Sequence, residues 1–259
     1  MSRGAMIAYA QGLAPIAAAA FLTWLLSSFK RNVSIVDSLW SLLLLIAAAT
    51  YAVAAPRLMP RAIGVLVLVA IWALRLSIYI TRRNWGGGED RRYQAIRARN
   101  QPQFALKSLY LVFGLQAVLA WIVSLPLYAA ITSDSPLGIL DLAGCCLWLL
   151  GFCFEAVGDW QLAQFQADPA NRGRVLDRGL WRYTRHPNYF GECVLWWGFS
   201  LIALAAGAWW SIAGPMLMSV LLLRVSGVTL LEKDIGDRRP GYSDYIRRTN
   251  AFIPGPPRR

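Results

Sequence analysis

Apolar positions fall into seven long runs, at roughly 6–28, 35–55, 62–81, 107–131, 137–160, 190–207 and 209–230, with polar segments between them. Each run approaches the ~20 residues a helix needs to cross a bilayer core. The pattern predicts an all-α polytopic membrane protein, a bundle of seven transmembrane helices in a single domain over 1–259. Composition agrees, at 57% hydrophobic and only 15% charged, where a soluble domain carries about 25%. The first run continues through Phe29 to Lys30 and Arg31, a length that fits a retained span better than a cleaved leader.

A net charge of +12 raises the question of nucleic acid, and placement answers it. With seven spans the connections alternate sides, and 21 of the 26 Lys and Arg residues gather on one of them. That asymmetry is the positive-inside signature, with the N-terminus outside and the C-terminus cytosolic. The basicity therefore reads as topology and affinity for anionic headgroups, with no nucleic-acid partner.

Ionisable residues are costly within a span, so their depth is informative. Asp37, Arg75, Glu155, Asp159, Glu192 and Arg224 all fall in the cytosolic halves of the expected spans, and only Asp141 lies toward the other face. This distribution predicts a polar cavity open to the cytosol. It does not fit an aqueous transport path, which needs polar groups through the outer halves too. Cys145, Cys146, Cys153 and Cys193 form no C-x-x-C and have one histidine to join. A zinc site needs three or four placed ligands, so no metal site is expected.

Glu155 and Asp159 are four apart and stack on one helix face, as are Asn188 and Glu192, while Tyr189, Glu192 and Trp196 share a stripe. Two stacked carboxylates repel unless something donates hydrogen bonds to them, such as a ribose, an amide or an arginine. Pro187 disfavours helix at His186 and suits the first turn of the sixth span. That places a helix N-terminus behind Arg172, Arg174, Arg178, Arg182 and Arg185, an arrangement that favours phosphates. Ordinary positive-inside bias produces such a cluster as well. His186 has no carboxylate neighbour in sequence and reads as a hydrogen-bond donor rather than a general base. The loop 81–104 predicts a turn at Gly86–Gly88 and a mixed-charge helix, with neither a dinucleotide fingerprint nor a Walker A motif. A short polar helix is expected around Tyr242–Arg248, with Tyr242 and Tyr245 on one face, able to lie over the cavity mouth.

The segments "GLWRYTRHPNYFGE" (179–192), "FEAVGDW" (154–160), "EKD…PGYSDYIRRTNAFIP" (232–254) and "GGGEDRRY" (86–93) together resemble the membrane steroid 5α-reductase superfamily, nearest its bacterial branch. The resemblance runs from about Val33 to the tail and is strongest over 150–195. R-H-P-x-Y alone also occurs in sterol reductases and isoprenylcysteine carboxyl methyltransferases. The resemblance implies a seven-helix bundle that binds NADPH in a cytosol-facing cavity and reduces a carbon–carbon double bond conjugated to a ketone. It implies that Asp159, Asn188, Glu192 and Arg224 hold the cofactor, and that Asp37 helps bind the substrate ketone. Glu155 stands where the family has an asparagine. Trp72 stands where the steroid enzymes have a ketone-binding tyrosine; an indole N–H donates a hydrogen bond but cannot pass on its proton as a phenol does. The proton donor is therefore open among Tyr79, Asp37 and a water.

The expected catalytic set is thus Asp37, Trp72 and Glu192. The expected cofactor set is Glu155, Asp159, Arg174, Arg178, Arg182, Arg185, His186, Asn188, Tyr189, Glu192, Arg224, Tyr242 and Tyr245. The substrate class is a flat hydrophobic molecule, a steroid or isoprenoid, arriving from the bilayer lipids. The chief rival is a membrane methyltransferase using S-adenosylmethionine. Those enzymes tend to carry paired glutamates before the tail, where this chain has Glu232 followed by Lys233 and Asp234. A third reading, a non-catalytic scaffold or lipid-binding protein, predicts no nucleotide binding.

Overall fold

The computed structural model describes residues 3–225, 227, 228, 232 and 241–258; Lys233, Asp234 and the end of the seventh apolar run lie outside the described residues. The described residues are helical, with no strand among them. Five helices are long and apolar enough to cross a membrane. These are α1 (Arg3–Lys30), α2 (Ile35–Ala54), α3 (Pro60–Asn84), α5 (Phe104–Val123) and α7 (Ile139–Ala167), with the short α4 (Arg91–Arg99) before α5 and α6 (Leu125–Ile131) after it.

The sixth and seventh expected spans take different forms. The sixth is the 19-residue helix α8 (Pro187–Ala205), which carries Asn188, Tyr189 and Glu192 in its first two turns. The seventh is an apolar run, Trp209–Val225, in which α9 (Ala213–Val220) stands between a 3-10 turn and a π turn. The fourth expected run breaks at Ser124, where Pro126 opens α6 instead of continuing α5. In the tail, α10 (Tyr242–Arg248) forms where a polar helix was expected.

By contacts the chain groups into two compact units, Met1–Leu137 with Ala205–Gly214, and Gly138–Leu204 with Pro215–Arg259. In the first unit, α2 packs on α1 and α3 around fully buried Ile16, Leu43, Leu44, Val69 and Trp72. Lipid tails are as apolar as leucine, so packing and interhelical hydrogen bonds hold such helices together. The Ser41 hydroxyl donates to the Ala73 carbonyl at 2.8 Å, tying α2 to α3. At the end of α2 away from Asp37, Tyr9 stacks on Trp121 with centroids 4.7 Å apart. There the Tyr51 hydroxyl pairs with Ser124 Oγ at 2.8 Å. Arg61, in the first turn of α3, is buried and donates to the Ser135 and Pro136 carbonyls at 2.9 and 2.8 Å.

The second unit is built on glycine. Gly144, Gly151 and Gly158 recur every seven residues on α7, and Gly191 and Gly198 do so on α8. A Cβ at Gly191 would overlap the Glu155 backbone nitrogen and the Gly151 carbonyl, and one at Gly151 would overlap Leu195 and Gly191 in return. The two backbones are in direct contact, the small-residue packing found between membrane helices. The loop before α8 is pinned to the far end of α7: Leu180 N–H donates to Gln161 Oε1 at 3.0 Å and the Trp181 indole to the Gly158 carbonyl at 3.1 Å. Gly179 makes this possible with a left-handed backbone (φ 62°) and no side chain to strike Gln161.

Candidate functional site

The close approach of α7 and α8 brings the polar positions of both helices together. Glu155 and Asp159 lie between and beside the contact glycines of α7, and Asn188 and Glu192 face them from the first turns of α8. Asn188 Nδ2 donates to Asp159 Oδ1 at 3.1 Å. Glu155, Asp159 and Glu192 are buried, at 1%, 3% and 7% exposure. Neither α7 nor α8 contains a lysine or arginine. The helix pair therefore carries an acidic, amide-bearing face. Such groups accept from hydroxyls and amides.

His186 and Arg185 do something else. His186 Nε2 lies 2.9 Å from Glu232 Oε1, and its ring stacks on Tyr189 at 5.7 Å. Arg185 grips the same carboxylate with both sides of its fork, at 2.7 and 2.9 Å, and donates to the Thr249 and Ile246 carbonyls at 2.6 and 3.2 Å. Burial works against the charge on Glu232, but the bonds from His186 and Arg185 outweigh it and hold the carboxyl down to about 2. An ionised carboxylate only accepts, so His186 is the donor here, as expected. His186 has no carboxylate neighbour along the chain, but folding brings it Glu232 from 46 residues away. Arg185 was expected at a phosphate seat; each nitrogen of its guanidinium is instead used to bolt the tail to the head of α8.

The tail is stitched on by backbone too, with Arg185 N–H donating to the Asn250 carbonyl and Gly255 N–H to that of Tyr183. Tyr242 and Tyr245 do share a face, with rings 5.7 Å apart, and both are buried. The Tyr245 hydroxyl donates to the Trp181 carbonyl. Burial first, then neighbouring Tyr242, pushes that hydroxyl well above its ordinary value, so it stays a donor. The other expected arginines separate: Arg172 and Arg174 lie exposed on the loop, Arg224 is exposed on the π turn, and Arg178 and Arg182 line a cavity with the tail.

In the first unit, Asp37 opens α2 and Trp72 is fully buried in α3. The Asp37 carboxylate accepts from Arg92 at 2.7 Å and from the Tyr93 hydroxyl at 2.6 Å. Both partners come from α4, which Asp90 caps by accepting from Arg92 N–H at 2.9 Å. Asp90 N–H in turn donates to Ser34 Oγ at 2.6 Å, and Val33 N–H to Glu89 Oε1 at 2.9 Å. Burial opposes the charges on Glu89 and Asp90, yet their hydrogen bonds with Arg97 and Arg92 hold both below the usual carboxylate range. Burial, with Asp37 beside it, pushes the Tyr93 hydroxyl far above its ordinary value. Reading the sequence missed Arg92, Tyr93 and Glu232 as site residues. For the first two a signal existed in "GEDRRY", a charged loop motif ending in tyrosine; for Glu232 it lay in the "EKD" that opens the tail segment, where the methyltransferases tend to carry paired glutamates.

The sequence pattern of a family described as "Protein of unknown function (DUF1295)" matches residues 23–249. "Uncharacterized protein C594.04c" of Schizosaccharomyces pombe is 25% identical over 266 residues, covering 89% of this chain and 75% of that protein. No solved structure matches the chain.

Proposed function

The chain belongs to the DUF1295 family, within the steroid 5α-reductase-like superfamily, and from that premise we propose that it is an integral-membrane, NADPH-dependent reductase. Its substrate is a flat hydrophobic enone, steroid-like or isoprenoid, taken from the bilayer. The observation that carries this reading is the buried face of Glu155, Asp159, Asn188 and Glu192 on the glycine-packed helix pair. Those groups fit a nucleotide cofactor by their chemistry: carboxylates accept from ribose hydroxyls, and Asn188 both accepts and donates to a carboxamide. When bound, the nicotinamide supplies a hydride to the β-carbon of the enone. The chain's part is position and electrostatics: Asn188 and Glu192 orient the nicotinamide end, Asp159 takes the ribose side, and the exposed Arg174 meets phosphate.

Polarising the ketone is a separate role, which the resemblance gives to Asp37 and Trp72. Tyr93 adds to it a phenol hydrogen-bonded to Asp37, a group able to give up a proton as the Trp72 indole is not. The charge asymmetry supports seven spans with the N-terminus outside, the C-terminus cytosolic and the cofactor face toward the cytosol.

The test is thermal stability of the purified protein in detergent with NADPH, NADH or S-adenosylmethionine. A ligand that binds only the folded state adds about 2.7 kcal/mol at a hundredfold excess over its Kd. NADPH is expected to do so, and Asn188→Ala and Glu192→Ala to weaken its affinity about tenfold each while still folding. Stabilisation by S-adenosylmethionine instead makes the chain a methyltransferase, and stabilisation by none of them makes it a non-catalytic membrane protein.

A further inference from the structure

A second polar feature of the second unit is opposite in sign to the α7–α8 face. The loop 177–182 and the tail enclose a cavity of about 560 Å³, open to the surface and lined by Arg178, Arg182, Arg248 and Arg258. Asp177 is the one acid in its lining, 3.6 Å from Arg248, so the lining carries a net charge of three positive. Arg178 and Arg182 make no salt bridge among the described residues, and Arg258 meets the neutral side chain of Asn250 at 3.1 Å. The walls are firm. Trp181 and Leu180 are fastened to α7, and Tyr245 is fastened to Trp181. Arg258 N–H donates to the Arg248 carbonyl at 2.8 Å, fixing the end of the tail against α10.

The depth of this cavity follows from helix geometry. The α7 helix starts after Gly138, and Gly158, to which Trp181 is bonded, lies twenty residues on. At 1.5 Å per residue that is about 30 Å, the thickness of one hydrocarbon core. The arginines therefore sit at headgroup level rather than in the core or far out in water. Exposed aromatic side chains mark the same level, with Trp160 61% and Tyr183 45% exposed on the adjoining segments, as in an interfacial aromatic belt.

We propose that this cavity is a phosphate-binding site whose occupant is the headgroup of an anionic phospholipid. Four arginines line one concave space, and guanidinium binds phosphate oxygens in bidentate fashion. A lipid seated there ties the tail to the membrane surface and holds in place the bolt that the tail makes to Arg185. Arg178 and Arg182 also stand among the residues expected to hold the cofactor, whereas Arg248 and Arg258 belong to this site alone.

The experiment uses the full chain in nanodiscs of phosphatidylcholine with a minor fraction of phosphatidylglycerol. The protein is then extracted and the lipids it retains are measured by mass spectrometry. The wild type is expected to retain phosphatidylglycerol in preference to phosphatidylcholine. Arg248→Gln with Arg258→Gln, and independently Arg178→Gln with Arg182→Gln, are each expected to lower that preference about thirtyfold, the scale for removing two interfacial arginines. Arg91→Gln with Arg99→Gln, exposed arginines of α4 remote in sequence from the cavity, should leave it within about twofold. Equal losses in all three double variants would mean diffuse surface charge and overturn the site. Inorganic phosphate that stabilises the lipid-free protein, with no phosphatidylglycerol enrichment in nanodiscs, assigns the cavity to a soluble phosphate and overturns the lipid assignment. NADPH stabilisation is read in the same variants: if it persists while lipid preference is lost, the two readings stand or fall apart.

Discussion

Both units gather charge next to apolar helices, but they handle it in opposite ways. In the first unit the acids and bases are interleaved: Glu89 with Arg97, Asp90 with Arg92, and Asp37 shared by Arg92 and Tyr93. The cluster neutralises itself and fastens the α4 loop to the head of α2. In the second unit the signs are segregated. The α7–α8 pair holds buried carboxylates and no cation, the loop and tail together line a cavity with four arginines, and the closest ion pair joining loop to tail among the described residues, Arg185 with Glu232, is a bolt. Burying like charges together is unfavourable unless other groups complement them, and the proposed cofactor adds hydroxyl and amide donors to the partners that face already has. The contrast is between a cluster that neutralises itself and a face proposed to bind a cofactor.

The largest way to break the contrast is to separate the helices that create the acidic face. Gly191→Val places carbon where the Glu155 backbone nitrogen and the Gly151 carbonyl already stand. The loss should reach about 3 kcal/mol, the upper range for overpacking a tight core, with cofactor binding lost alongside. Gly64→Ala is the control, since nothing lies within 4 Å of its added carbon; it should be neutral or stabilising by up to about 1 kcal/mol. Thermal unfolding in detergent reads both, and a tolerated Gly191→Val would remove the basis for the site.

A smaller effect is expected at the bolt. Glu232→Gln leaves the Arg185 guanidinium mostly buried without its counter-charge, costing about 2 kcal/mol for hydrogen bonds to a charged group. The pH dependence has a definite sign. A carboxyl held at about 2 instead of 4.5 stabilises the fold above its ordinary value, and that contribution disappears as pH falls from 4.5 toward 2. Comparing melting at about pH 6 and about pH 3, the wild type should lose more stability than Glu232→Gln, which has no such proton to bind. Equal losses would show that the bolt does not couple to folding.

How much of this could be seen in the chain itself depends on range. Five of the seven apolar runs became helices of spanning length because a span is a local property of about twenty residues. The four-residue spacings of Glu155 with Asp159 and of Asn188 with Glu192 were legible for the same reason. What escaped was what joins distant segments. Glu232 reaches Arg185 and His186 across a stretch with no periodicity to carry the signal, so Arg185 looked like a phosphate ligand. The seven-residue glycine repeat on α7 and α8 was present in the sequence and went unread, because attention to polar residues passes over the small ones that let them meet. Asp37 was placed correctly at a helix head, but its partners lie 55 and 56 residues on, and only folding shows that "GEDRRY" is the other half of that pair.

The smallest effect on stability sharpens the comparison most. Tyr93→Phe removes one hydroxyl and leaves Asp37 its bond to Arg92, so unfolding should cost only about 1 kcal/mol. NADPH affinity should not change, because no group of the α7–α8 face is touched. If the first unit only holds shape, turnover of an enone should not change either. The phenol, however, is the one member of the interleaved cluster that carries a transferable proton, kept on the oxygen by burial and by the charge of Asp37. To act as the acid, Tyr93 must turn its one O–H from Asp37 to the enone oxygen, which takes the proton as hydride reaches the β-carbon and leaves a phenolate beside Arg92. Turnover is therefore expected to fall about a hundredfold, the scale for losing a general acid, at unchanged cofactor affinity. That split assigns proton delivery to Tyr93 in place of Tyr79, Asp37 or a water, and an unchanged rate confines the whole α4 cluster to holding shape.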